Sequence, residues 1–124
     1  AIGAPKESNK KGRVYIYDWD GKEYTLRSSI WGLEDNNEAG WSVSISGNGL
    51  VLSVGTWSDK SDVRVFEWHD STSSWVLRLP RLNGGDWTHI DSTDDGNTLV
   101  VGLPNSDEKV QDSGKVTIYK WTKE

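Results

Sequence analysis

A six-residue pattern closing on Trp occurs three times in this chain: VYIYDW (14–19), VRVFEW (63–68) and VTIYKW (116–121). The first copy alternates aliphatic with aromatic residues and leaves no side for water. Val14 and Ile16 point one way, Tyr15, Tyr17 and Trp19 the other. The later copies follow suit, with Val63 and Val65 opposing Phe66 and Trp68, and Val116 and Ile118 opposing Tyr119 and Trp121. A half-buried strand keeps one polar face. Strands of this kind need apolar cover on both faces, and few folds provide it.

The pattern belongs to a longer repeat. The closing Trp residues at 19, 68 and 121 lie 49 and 53 apart, and a second landmark, Gly3, Gly55 and Gly102 in AIGAP, LSVGTW and LVVGLP, recurs at 52 and 47. Two independent landmarks agree on a period near fifty. GWSVSIS (40–46) corresponds to DWTHIDS (86–92), which places His89 at the Val43 position, and each is followed by a hairpin-type turn, GNG or DDGN. EYTLR (23–27) matches WVLRL (75–79).

The middle unit therefore reads as four short strands, 41–46, 50–56, 62–68 and 75–79, joined by turns too short for anything but antiparallel pairing. Eight Trp and thirteen Gly against one Phe and no Met suit many strands and tight turns, and helical periodicity is absent. The expected fold is all-β, built from four-stranded antiparallel meanders used as β-propeller blades. Residues 1–124 then form a propeller segment, with a partial blade at 1–33, a complete one at 40–82 and a partial one at 86–124. That is about two and a half blades, a fragment or an incomplete ring. Aliphatic residues of one blade would pack on aromatic residues of the next, each worth roughly 1.5–3 kcal/mol when fully buried. Two blade faces are left bare at the ends. Further blades or another chain are expected to cover them.

GWSVSISGNGLVLSVGTW…VRVFEW and STDDGNTLVVGLPNSDEKVQDSGKVTIYKW resemble the FG-GAP-type, integrin-alpha-like propeller repeats of large secreted or surface proteins from marine microbes and algae. AIGAP keeps the GAP element of that pattern, VGLP keeps part of it, and VGTW has lost its Pro. The resemblance covers nearly the whole chain. It implies a blade array used for adhesion or protein contact, and an extracellular or cell-surface location.

Composition narrows the function classes. The net charge is -5 and no basic run exceeds Lys10-Lys11, which argues against a nucleic-acid partner. There is no apolar run near 18 residues, so no membrane-spanning helix is expected. Without cysteine there is neither a disulfide framework nor thiol chemistry. The opening AIGAP reads as the start of a mature product or of a segment cut from something longer.

Chemistry-bearing constellations are sparse, and no catalytic, cofactor-binding or metal-binding residue is assigned. Calcium needs oxygen ligands on alternate residues. The loop NSDEKVQDSG (105–114) offers Asp107, Glu108 and Asp112 without that spacing, so a solvated acidic loop is preferred. In DSTDDGN (91–97), Asp94 and Asp95 are read as turn residues bonding their own backbone. Ser92, Asp94, Gly96 and Thr98 fit the Asp-box pattern of sialidase-like propellers, which raises a glycosidase reading, but Asp boxes brace hairpins. A sialidase-like site needs several converging Arg. Arg13, Arg64 and Lys115 stand at or beside strand starts and are expected to be solvated. His69 and His89 are isolated. Trp19, Trp68 and Trp121 recur in register and are expected to pack. Trp57 replaces the Pro of GAP and Trp31 has no aromatic counterpart, so Trp31 and Trp57 are the candidate contacts for a protein partner or a glycan. The leading expectation is a noncatalytic interaction, adhesion or structural scaffold; the alternatives are a carbohydrate-binding module and a glycosidase-like propeller.

Overall fold

The structure, a computed structural model, describes residues 1–57, 62–85, 87–106, 111 and 113–122, and for Leu79 and Pro80 the backbone alone. Among these residues the fold is all-β. The strands are β1 (Ile2–Ala4), β2 (Arg13–Trp19), β3 (Tyr24–Trp31), β4 (Ser42–Ile45), β5 (Val51–Gly55), β6 (Asp62–His69), β7 (Ser74–Asn83), β8 (His89–Ser92), β9 (Thr98–Leu103) and β10 (Lys115–Lys120). One helical turn, α1 (Glu7–Lys10), lies between β1 and β2, and its residues Ser8, Asn9 and Lys10 have left-handed φ of 50°, 53° and 59°.

The strands form three separate sheets. The first is ordered β1-β2-β3, the second β4-β5-β6-β7 and the third β8-β9-β10, and every neighbouring pair is antiparallel. β7 runs past its expected end at 79. As the outer edge strand of its sheet it tolerates Pro80, which has no N–H to donate.

One alignment from the sequence is corrected. β8 pairs His89 with Gly102 as β4 pairs Ser42 with Gly55, so His89 stands where Ser42 does and Ile90 takes the place of Val43. The turn after β8 is built like the turn after β4, and Ile90 must face inward. A slip of one residue would exchange it for His89.

The three sheets stack, and the middle one is covered on both sides. Val14, Ile16 and Ile30 of the first sheet form one core with Leu52, Val54, Phe66, Trp75 and Leu77 of the second. On the opposite face of the second sheet, Val63, Val65 and Leu82 form another core with Ile90, Leu99, Val101 and Tyr119 of the third. In both cores an aliphatic β2 or β6 face meets a face bearing the aromatic of β6 or β10. The inner strands also touch edge to edge: Ser42 Oγ accepts from Ile90 N–H at 3.0 Å and Ser44 Oγ from Ser92 N–H at 3.1 Å.

The link from β3 to β4 threads close to the first sheet. Gly32 N–H donates to Gly12 C=O at 2.9 Å, Glu38 N–H to Lys10 C=O at 2.7 Å, and Gly12 and Ala39 form a parallel bridge. Gly12 has φ +83°, and a Cβ there would lie 2.3 Å from the backbone N and O of Ala39. Gly21 has φ +99° with open space around it. Gly21→Ala therefore carries only the left-handed cost, roughly 1–2 kcal/mol, whereas Gly12→Ala adds a backbone collision. Urea midpoints should fall clearly further for Gly12→Ala. Equal losses would mean that the two segments are free to separate.

Candidate functional site

The strongest recurring geometry lies where one sheet meets the next. Arg27 of β3 donates from Nε to both Asp18 carboxylate oxygens, at 3.0 and 2.9 Å, and its Nη2 also bonds Asp18. Its Nη1 crosses to the second sheet and donates to Gly49 C=O at 2.6 Å, while its guanidinium lies over the rings of Trp68 (5.3 Å) and Trp75 (5.7 Å). One unit later, Arg78 of β7 repeats the arrangement. It donates to Glu67 at 2.7 Å and to Gly96 C=O in the third sheet at 3.1 Å, and it covers Trp121 at 4.6 Å. Arg suits this role because a planar fork serves a carboxylate and a carbonyl at once and still stacks on an indole. Each latch joins an outer strand to the turn and closing Trp of the following sheet.

The turns that receive these bonds are also built alike. Ser46 Oγ accepts from Val51 N–H at 2.9 Å and donates to Asn48, which accepts from Leu50 N–H. Thr93 and Asp95 do the same work in the next unit: Thr93 Oγ1 donates to Asp95 at 2.6 Å, and Asp95 accepts from Asn97 N–H at 2.9 Å. These bonds hold the Asp95 carboxyl below its ordinary pKa, the Thr93 hydroxyl contributing most. Asp94 takes part through its backbone, its C=O accepting from Gly47 N–H at 2.8 Å.

The two outermost faces of the stack are uncovered. On the first sheet Ile2, Tyr17, Trp19, Tyr24 and Leu26 are exposed, with Trp19 and Tyr24 in ring contact at 4.9 Å. On the third sheet Val116 and Ile118 are 69% and 64% exposed, and Val100, paired opposite Ile118, is exposed beside them. Trp19 was expected to pack and is instead 57% exposed, because it sits on the face with no sheet against it. Trp68 and Trp75 are half-buried in edge-on contact at 5.3 Å.

A third feature is a tryptophan cluster. Trp57 lies 5.9 Å from Trp41, which lies 6.2 Å from Trp87, centroid to centroid. Lys6 Nζ sits 5.4 Å over the Trp57 ring and pairs at 2.9 Å with buried Glu38. The indole nitrogens of Trp41 and Trp57 are enclosed without a hydrogen-bond partner. The sequence singled out Trp57 but not its companions. Trp41 and Trp87 fall at the same position when GWSVSIS is set against DWTHIDS, and that recurrence is the signal that could have found them.

The remaining sequence candidates disperse. Trp31 is exposed at the end of β3, with the Arg13 guanidinium 4.4 Å over its ring, and it has no ring contact with the Trp41–Trp57–Trp87 cluster. Arg64, expected at a solvated edge, is 5% exposed. Its Nη2 donates to Trp31 C=O at 3.3 Å over the Phe66 ring, and burial lowers its pKa. Arg13 is half-buried, bonded to Ser29 at 2.9 and 2.7 Å. His69 is exposed near Glu67, and His89 is exposed in β8. Glu7 accepts the Tyr15 hydroxyl at 2.9 and 2.7 Å, which raises the phenol pKa. Asp107, Glu108 and Asp112 lie outside the described residues. Among the described residues no group of three His, Asp or Glu is arranged to hold a metal ion, and no helix is long and apolar enough to cross a membrane. No family model matches the chain, and no curated protein matches it.

The Arg27 bonds hold the Asp18 carboxyl below its ordinary value. A depressed folded pKa gives stability that is full above the unfolded value of about 3.9 and is lost as pH falls through the lower folded value. Unfolding midpoints of the wild type should therefore decline below about pH 4. Asp18→Asn should be less stable at neutral pH and decline less on acidification. Parallel acid slopes in the two proteins would show that this latch does not titrate with folding.

Proposed function

We propose that the chain is a noncatalytic β-propeller segment of the FG-GAP, integrin-alpha-like kind, acting as a protein-interaction, adhesion or structural scaffold within a larger chain or complex. The observation that carries this reading is the stack itself. Two successive interfaces use side chains of the same type at equivalent strand positions, down to the Arg latch, and the stack ends on two apolar faces. Meander sheets that repeat face to face, with their first strands side by side, suit a radial array better than a sandwich of two sheets. Apolar patches of this kind mark surfaces that another protein covers. The extracellular or cell-surface setting comes from the resemblance and belongs to the same proposal. Imaging the native polypeptide tests the reading. The expected result is a ring of radially set sheets that includes residues 1–124, and a stack whose end faces stay in solvent would refute it.

A second reading, carbohydrate binding, is favoured by the Trp41–Trp57–Trp87 cluster with Lys6 above it. Indole faces stack on sugar rings, and two enclosed N–H donors lack acceptors. A glycan array followed by fluorescence titration is the test: a bound glycan should quench Trp emission, and Trp57→Ala should abolish the response. An array without hits would leave the cluster as packing.

A further inference from the structure

The two uncovered faces are not alike. They are opposite halves of an interface that the chain already makes twice. Inside the stack, the aliphatic face of one sheet (Val14 and Ile16, then Val63 and Val65) meets the face of the next sheet that carries Phe66 or Tyr119. The third sheet ends on the aliphatic half, Val116 and Ile118 with Val100 beside them. The first sheet begins on the aromatic half, Tyr17 and Trp19 with Ile2 and Leu26 beside them. The residue types match the internal contacts position by position, since Ile118 stands where Ile16 and Val65 do and Tyr17 where Phe66 and Tyr119 do.

Charge follows the same logic. At each internal interface a cation of one sheet covers the closing Trp of the next, Arg27 over Trp68 and Arg78 over Trp121. Trp19 is the third closing Trp, and it is exposed. The residue before the closing Trp is acidic in the first two units, Asp18 and Glu67, and each holds its Arg in place. In the third unit that residue is Lys120, exposed on the same face as Val116 and Ile118 by strand alternation. A cation therefore stands on the aliphatic end face where the other units place the acid of an acid–Arg pair.

We infer that the aliphatic end face of one copy docks on the aromatic end face of a second copy of this chain, with Lys120 over Trp19 of the second copy. The inference rests on the propeller reading and deepens it by naming the partner. Head-to-tail contacts either close into a ring or run on as a filament. The described residues of each copy form three sheets. Two copies bring twice that number, within the ~4–8 blades that close a propeller, and three copies exceed it. For residues 1–124, a two-fold dimer with two equal end-to-end interfaces is thus the closed form.

Sedimentation equilibrium of the 124-residue chain over a wide concentration range tests this. The expected result is a reversible dimer at twice 13.9 kDa. Ile118→Glu disables one end and Tyr17→Glu the other, and Val116→Glu is a second route to the first. All three substituted positions are exposed, so circular dichroism should stay that of the wild type. Each variant alone should be monomeric, because every interface in the closed dimer uses both ends. An equimolar mixture of the two should recover a 1:1 dimer through its one intact interface. Lys120→Gln should weaken association on the order of threefold or more.

A wild type that stays monomeric at all concentrations overturns the second copy. So does a dimer that survives in either single-end variant, which would mean like ends pair with like. Those failures are distinguishable from failure of the propeller reading. A ring imaged from one longer polypeptide, with the isolated chain monomeric, keeps the propeller and removes the dimer.

Discussion

Each sheet in this protein carries apolar side chains on both faces, and only another sheet of the same kind keeps water from both. The middle sheet meets that requirement. Leu52 and Val54 are wholly buried on one face and Val63 on the other. At roughly 1.5–3 kcal/mol for each fully buried side chain, these positions dominate the stability of the stack. The outer sheets satisfy the same requirement on one face only, and the exposed Val116 and Trp19 follow directly from that.

Hydrophobic burial alone has no direction, so something else must set which face meets which and at what offset. The Arg latches do this. Arg27 and Arg78 each give bonds to a carboxylate in their own sheet and to a glycine carbonyl in the next, and each lies over an indole across the interface. Arg78 is buried, and a buried cation needs acceptors and a charge partner; its Nη1 and Nη2 find Gly96 C=O and Glu67, while its Nε is enclosed without a partner. Sliding one sheet past the other would break the Gly96 bond and the Trp121 contact at once. The serine contacts between the inner strands and the Gly47–Asp94 bond between successive turns hold the same offset from the other side. The stacking order is therefore specified by polar groups, while its energy comes from apolar ones.

Architecture of this kind specifies contact surfaces more firmly than it specifies chemistry. Several acids are committed to structural partners: Glu7 to Tyr15 and Arg13, Asp18 to Arg27, Asp62 to Arg81, Asp95 to its own turn. Among the described residues, large aromatic and aliphatic side chains are exposed at the two ends of the stack and, as Trp87, in the tryptophan cluster.

Much of this could be read from the chain. The strands, their antiparallel order and the bareness of both ends follow from alternation and from a period near fifty, because those depend on local geometry and on neighbours of the same type. The register of β8 and the burial of Arg64 could not be read. His89 and Ile90 differ by one place in an alternating strand, and only pairing with Gly102 decides which of them faces the core. Arg64 looked like an edge cation until the Trp31 carbonyl, 33 positions away in the chain, was brought to it, with the ring of Phe66 from its own strand alongside. The same holds for the cross-sheet arms of the latches and for the contact of Trp41 with Trp87, whose partners lie on different sheets and meet only when the sheets stack. Local pattern settles what each strand is. Contacts across the interfaces, whose partners carry no marker of each other in the sequence, settle what the strands do together.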